Sequence, residues 1–202
     1  MKKFTLLLFC GMIFSANLNA NAPTWDIGYC EPPQWGECTP TAAVKATLSG
    51  TTLTITGTGK MVNYRSSNDI PWNNIRAAFQ TVIINDGVTS IGIQMFRNHT
   101  NLTSVTIPNS VTHIANMAFE DCTNLTTVTI GTGVTSIGPR AFANCSKLAK
   151  VIVQHSIPFS IGRDVFYKIN KACCLYAPAD WIHVYKIADG WKDFSCIRAI
   201  GN

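Results

Sequence analysis

Beyond Cys10, the chain carries seven cysteines: Cys30, Cys38, Cys122, Cys145, Cys173, Cys174 and Cys196. Thiols can bond to each other, bind a metal or attack a substrate, and spacing separates these uses. No two stand as Cys-x-x-Cys, so the zinc and thiol-exchange patterns are missing. Cys30 and Cys38 enclose Pro32, Pro33 and Trp35, which suggests a small disulfide loop. Cys196 is expected to pair with Cys173 or Cys174, and a bond between the adjacent Cys173 and Cys174 would be strained. An odd count leaves at least one thiol free. Cys122 and Cys145 follow a Phe at the same distance in two similar stretches, and are read as small apolar core groups. A nucleophile would need a base beside it, and these positions offer Asn and Thr.

The other reactive types are sparse. His99, His113, His155 and His183 show no His-x-x-x-His spacing, so no metal is expected. His113 stands where two sibling stretches have Ser, an exposed variant on a turn. Glu120-Asp121 is the only adjacent acid pair and is read as a solvated face, since a glycosidase needs two facing carboxylates. Gly57-Thr-Gly and Gly131-Thr-Gly are turns, because no helix with a Lys-Ser/Thr signature follows either. No cofactor is implied. An alternative reading is a surface glycan hydrolase with its site around Asp26, Asp69 and Trp72.

The framework for these residues begins with an export signal. Lys2 and Lys3 precede the apolar run Phe4 to Phe14, and small and polar residues follow to Ala22. That is the order of a secretory signal peptide, cut after Ala20 or Ala22. The run is shorter than the roughly 20 residues a membrane span needs, and export permits disulfides. Removing the signal lowers the net charge from +5 to +3. That is too mild a balance to suggest nucleic acid. Only 13% of residues are charged while Thr, Ser and Asn abound, as in β-rich extracellular proteins.

A 23-residue period sets the architecture. Val88-Thr-Ser-Ile-Gly recurs at Val111 and Val134, in step with Phe96, Phe119 and Phe142 and with Leu102, Leu125 and Leu148. The pattern continues loosely to Ile161 and Phe166 with one residue inserted. Val105 and Ile107 alternate with Ser104 and Thr106, which predicts a strand with one apolar and one polar face. Gly and Pro turn the chain, a second short extended piece follows, and a single helical or 3-10 turn delivers the Phe inward. One coil cannot bury these side chains, so coils must stack.

The segment Val134-Thr-Ser-Ile-Gly-Pro-Arg-Ala-Phe-Ala-Asn-Cys-Ser-Lys-Leu and its siblings resemble the BspA-like (bacterial surface protein A) leucine-rich-repeat family. Gly57-Thr-Gly-Lys-Met with Pro71-Trp72, and Ala188-Asp-Gly-Trp-Lys-Asp-Phe, resemble its entry and terminal segments. The resemblance implies a leucine-rich-repeat solenoid, export, a surface location, adhesion or protein binding, and no shared catalytic residues. The expected organisation is a signal peptide over 1–22, a β-rich capping module with a hairpin over 23–78, the solenoid over 79–178 and a helical cap over 179–202. Trp181, Val184, Tyr185 and Ala188 give that cap an amphipathic helix, with Asp180 at its start and Gly190 at its stop. The expected function is binding of an extracellular protein or glycan by a monomer. Its surface is the outward strand face: Ser104, Thr106, Thr127, Thr129 and Lys150, with Lys147 just before the last strand. Between Pro139 and Lys171, Arg140, Lys147, Lys150, Arg163, Lys168 and Lys171 face only Asp164, and stacking is expected to gather these bases on one side.

Overall fold

The computed structural model describes residues 22–28, 43–64 and 66–201. Residues 1–21, which hold nearly all of the expected signal peptide, and the expected Cys30–Cys38 loop lie outside the described residues.

The chain winds as a stack of three-sided coils. The first side is a parallel ladder of β3 (Thr52–Lys60), β4 (Thr81–Ile84), β6 (Ser104–Ile107), β8 (Thr127–Ile130), β10 (Lys150–Val153), β11 (Cys174–Ala177) and β12 (Cys196–Ala199). Its strands are only four residues long after β3 because each uses two inward apolar residues and then turns. Val105, Val128 and Val151 stack in one inward column, and Ile107, Ile130 and Val153 in the next. All six are buried. The last strand, β12, was not legible as part of the repeat; it extends the ladder beyond the helical cap.

The second side is a shorter ladder. The end of β3 pairs with β5 (Val88–Ile91), which leads to β7 (His113–Ile114) and β9 (Ser136–Ile137). A single bridge, Ile137 to Ile161, carries it one coil further. Between the two sides the chain turns over Gly131–Gly133, where a side chain on Gly133 would strike the carbonyl of Asn109 in the coil before.

The third side carries the Phe column. It is a run of turns in which the amides of Met95, Arg97 and His99 donate to the carbonyls of Gly92, Gln94 and Phe96. These are single turns as expected, but left-handed residues at Gln94 and Asn98 stop them from joining into a helix. The same pair recurs at Met117 and Asp121, Arg140 and Asn144, and Asp164 and Lys168. Inside, Phe96, Phe119, Phe142 and Phe166 stack at 5.1, 5.2 and 5.7 Å with nearly parallel rings. Trp72 closes this spine at one end, 5.9 Å from Phe96, and Trp191 at the other, 5.9 Å from Phe166.

Both ends are capped, which keeps the terminal coils from exposing core. β1 (Thr24–Asp26) and β2 (Ala43–Ser49) form an antiparallel pair, and β2 makes a hairpin with β3. At the far end Ala179–Trp181 is a 3-10 turn that leads into α1 (Ile182–Tyr185). Asp180 lies inside that turn and does not cap it; Pro178 stands at the cap position and makes no side-chain bond there. The hydroxyl of Tyr185 donates to the carbonyl of His155 at 2.9 Å, and the indole of Trp191 to that of Phe159 at 2.9 Å. Gly190, at φ +77°, makes the turn that returns the chain.

Candidate binding surface

The register of the first ladder puts its outward residues in two straight rows. Thr81, Ser104, Thr127, Lys150, Cys174 and Cys196 form one. Ile83, Thr106, Thr129, Ile152, Tyr176 and Arg198 form the other. Ser104, Thr106, Thr127, Thr129 and Lys150 therefore share one surface. The hydroxyls occupy its first half and the basic and aromatic groups its second. The Lys150 ammonium lies over the Tyr176 ring, 4.5 Å from its centre, an attraction that holds both side chains up from the sheet. Cys174 and Cys196 are joined by a disulfide on this outer face, their Cα atoms 4.6 Å apart. Of the two partners open to Cys196, Cys174 is the one used; Cys173 is buried and free. Tyr176 and Arg198 were missed because Ala172 and Phe194 stand where the repeat has its Leu landmark.

Lys147 lies on the rim of this surface. It stands in the column of Asn101 and Asn124, whose amides donate to the carbonyls of Ala77 and Thr100 in the preceding coil. Lys147 instead donates to the Asn124 side-chain oxygen at 2.6 Å. The bases between Pro139 and Lys171 do not form one patch. Lys147 and Lys150 are on the strand side, whereas Arg140, Arg163 and Lys168 belong to the turn side. Strand and turn stretches are a third of a coil apart, so charges clustered in sequence separate in space.

The turn side holds chemistry that the chain's linear order misplaces. Glu120 is not solvated: its side chain is 2% exposed. Nε of Arg97, from the coil before, lies 2.7 Å from its Oε2, and Nε of Arg140, from the coil after, donates to its Oε1 at 2.6 Å. Asp121 accepts from Asn144 at 2.7 Å and lies 3.8 Å from Arg97. Arg97 and Glu120 are one period apart. Comparing charges down that column would have revealed the pair.

His99 is likewise one period before Cys122 and two before Cys145, so the thiol column begins with an imidazole. His99 is fully buried, stacked 4.9 Å from Phe79. Its Nδ1 donates to the Arg97 carbonyl at 3.1 Å, and Nε2 has no partner among the described residues. Burial, with a smaller contribution from the Arg76 charge, lowers its pKa to about 4. The thiols of Cys122 and Cys145 donate to the carbonyls of Phe96 and Phe119. Burial raises both, Cys145 to about 12, so neither supplies a thiolate near neutral pH.

His113 sits on β7 rather than on a turn, and its Nδ1 is 2.7 Å from the Ser136 hydroxyl. That is nucleophile-to-base distance, but burial and then the Lys60 charge lower the imidazole's pKa. Such a field opposes the imidazolium that a general base must become. Trp72 is buried in the spine and cannot stack on a sugar, and Asp26 lies 3.8 Å from Lys45. Asp69 is exposed on a separate 3-10 turn. Among the described residues no three His, Cys, Asp or Glu side chains are grouped to hold a metal. No helix among them is long and apolar enough to cross a membrane.

Residues 74–183 match the family described as BspA type leucine rich repeat region, in six copies. The match covers more than half of the chain, which belongs to this family. The crystal structure of a leucine-rich repeat protein from Eubacterium ventriosum ATCC 27560 is similar, at 26% identity and a TM-score of 0.51 over 69% of this chain and 43% of that one. A leucine rich cell surface protein from Faecalibacterium prausnitzii A2-165 matches at 21% identity and a TM-score of 0.31, over 69% of this chain and 45% of that one. The chain thus spans less than half the length of either. No curated protein matches it.

Proposed function

We propose that this is an exported or cell-surface binding protein that presents the outer face of its long ladder to an extracellular protein or glycan. One observation carries the reading: the two outward rows bring Lys150, Ile152, Tyr176 and Arg198 together on a straight, disulfide-bonded surface. These are the residue types that anchor interfaces, a large ring with bases around it. The scaffold holds them in place, so little side-chain freedom is lost on contact. Family membership supports the location, and the disulfide suits an oxidising compartment. The hydroxyl rows of Ser104, Thr106, Thr127 and Thr129 extend the contact with hydrogen-bonding groups.

The test is a salt titration of whatever extracellular protein or glycan the purified chain binds. Affinity is expected to fall between about 50 and 300 mM salt, because exposed charges are screened beyond roughly 10 Å at 0.1 M. It should fall further in Lys147→Glu/Lys150→Glu. Affinity that ignores both changes places the contact elsewhere.

A further inference from the structure

Beside the side-chain bonds of Glu120 and Asp121, the turn side is bonded from coil to coil by its backbone, and those backbone bonds all run one way. The amides of Gln94, Phe96 and Asn98 donate to the carbonyls of Asn116, Ala118 and Glu120 at 3.1, 2.8 and 2.9 Å. Those of Met117, Phe119 and Asp121 donate to Pro139, Ala141 and Ala143 at 3.0, 2.8 and 2.9 Å. Those of Arg140, Phe142 and Asn144 donate to Arg163, Val165 and Tyr167 at 3.1, 3.0 and 2.7 Å. A β-strand edge alternates donors and acceptors. Here the left-handed residue at the first and last donor of each coil turns the peptide planes to the same sense. The peptide dipoles then add, and the leading edge is a row of N–H groups with partial positive charge, as in other backbone anion sites.

The fifth coil repeats this conformation, with Asp164 at φ 58° and Lys168 at φ 54°. Its donors are the amides of Asp164, Phe166 and Lys168, and none has an acceptor among the described residues. No further turn side stacks on them, because after Asn170 the chain enters β11 and then the cap. The row opens instead onto a cleft of about 660 Å³, walled on the far side by Asp193, Phe194 and Ser195. Lys168 and Lys171 also line it, and neither forms an ion pair with a described residue. Asp164 and Asp193 line it as well, near Arg140 and Lys192, whose own bonds go to Glu120 and Asp189.

We infer that this cleft is a docking site for an extended acidic polypeptide segment of a partner protein, whose alternate backbone carbonyls continue the turn-side ladder. The edge offers donors only, so it selects a row of acceptors, and Lys171 with Lys168, whose ammonium lies 5.2 Å from the centre of the Tyr167 ring, selects carboxylates. A backbone fits better than a single anion. Three donors spread over five residues span roughly 10 Å at about 3 Å or less per residue, beyond the reach of one tetrahedral ion. The inference rests on the reading of the chain as a binding protein but uses a surface separate from the Lys150–Tyr176–Arg198 face.

The test uses the whole chain, labelled with ¹⁵N. In the free protein the amides of Asp164, Phe166 and Lys168 should exchange with solvent at least tenfold faster than those of Arg140, Phe142 and Asn144. The probe is an acetylated and amidated heptapeptide of alternating Glu and Ala. It should shift those three amides and slow their exchange at least tenfold, whereas the Lys-Ala counterpart should not. Lys168→Asn, the residue type that Asn98 and Asn144 place at this left-handed position, combined with Lys171→Gln should weaken the probe at least fivefold. Equal protection of the two amide sets in the free protein would overturn the site, as would the absence of any shift. Inorganic phosphate reproducing the shifts would overturn it in favour of a simple anion nest. Shifts confined to Lys150, Tyr176 and Arg198 would overturn it while leaving the binding reading intact.

Discussion

Arg140 donates from its Nε to the buried Oε1 of Glu120 at 2.6 Å, across the boundary between two coils. With Arg97 on the other side, a single carboxylate fastens three successive coils. The bases are partly exposed, at 32% and 39% of the side chain, and the acid is not. That asymmetry decides what mutation does. Glu120→Gln releases two arginines that water can still reach, so the expected loss is about 1–3 kcal/mol. Arg97→Gln with Arg140→Gln leaves the carboxylate buried and uncompensated, the more damaging case. Its melting temperature should drop at least twice as far. Equal drops would mean that Glu120 is hydrated in solution.

The aromatic spine makes a second prediction. Phe119 stacks between Phe96 and Phe142 in the middle coil. Phe119→Ala should cost about 3–5 kcal/mol, as large core deletions do. Thr106→Ala, on the outer row, should change stability by about 0.5 kcal/mol or less. Denaturant melts of the two variants, run side by side, check the inward and outward assignments.

His99 predicts an acid-sensitive stability. Its proton affinity is lower in the fold, with a pKa of about 4 against 6.5 for the free side chain. The unfolded chain therefore binds the extra proton first. Stability from this residue is fully present above pH 6.5, falls as pH drops, and levels off near pH 4. The full loss is about 3 kcal/mol, since each tenfold change in proton affinity is worth about 1.4 kcal/mol. His99→Cys, which matches the residue at Cys122 in the same column, should remove that slope. Chemical melts of both proteins from pH 7 to pH 4 give the comparison.

The disulfide ties the last two strands of the ladder across a sequence separation of 22 residues. Replacing both Cys174 and Cys196 by Ser should cost about 3 kcal/mol through the greater freedom of the unfolded chain. Reductant should lower the melting temperature of the natural chain and leave that of the double variant unchanged. A reductant effect of the same size on both would point to a different bond.

Much of this architecture could be read from the period alone. Val105, Phe119 and Leu125 each recur at the same spacing because one inward column per position is what coil stacking demands. The hairpin was visible in Val44, Ala46, Leu53 and Ile55, since alternation marks a half-buried strand. The surface was half legible. Ser104 through Lys150 follow from alternation within well-matched copies, whereas Tyr176 and Arg198 sit in β11 and β12, where the landmarks have decayed. Glu120 and His99 escaped because a residue's burial on the turn side depends on the coils before and after it. Along the chain they look like loop residues; only down the column do Arg97, Phe79 and Cys122 appear as their partners. The basic run to Lys171 misled for the same reason, because residues ten apart in a coil face different sides.

Binding of an extracellular partner by the outer ladder face, as proposed, depends on Lys150, Tyr176 and Arg198. An array of extracellular matrix proteins and of neutral and sulfated glycans, probed with the natural chain and with Lys150→Glu/Tyr176→Ala/Arg198→Glu, tests it most directly. At least one ligand should be held by the natural chain and lost at least tenfold by the variant, with melting temperatures within a few degrees of each other. A ligand held equally by both proteins would contradict it.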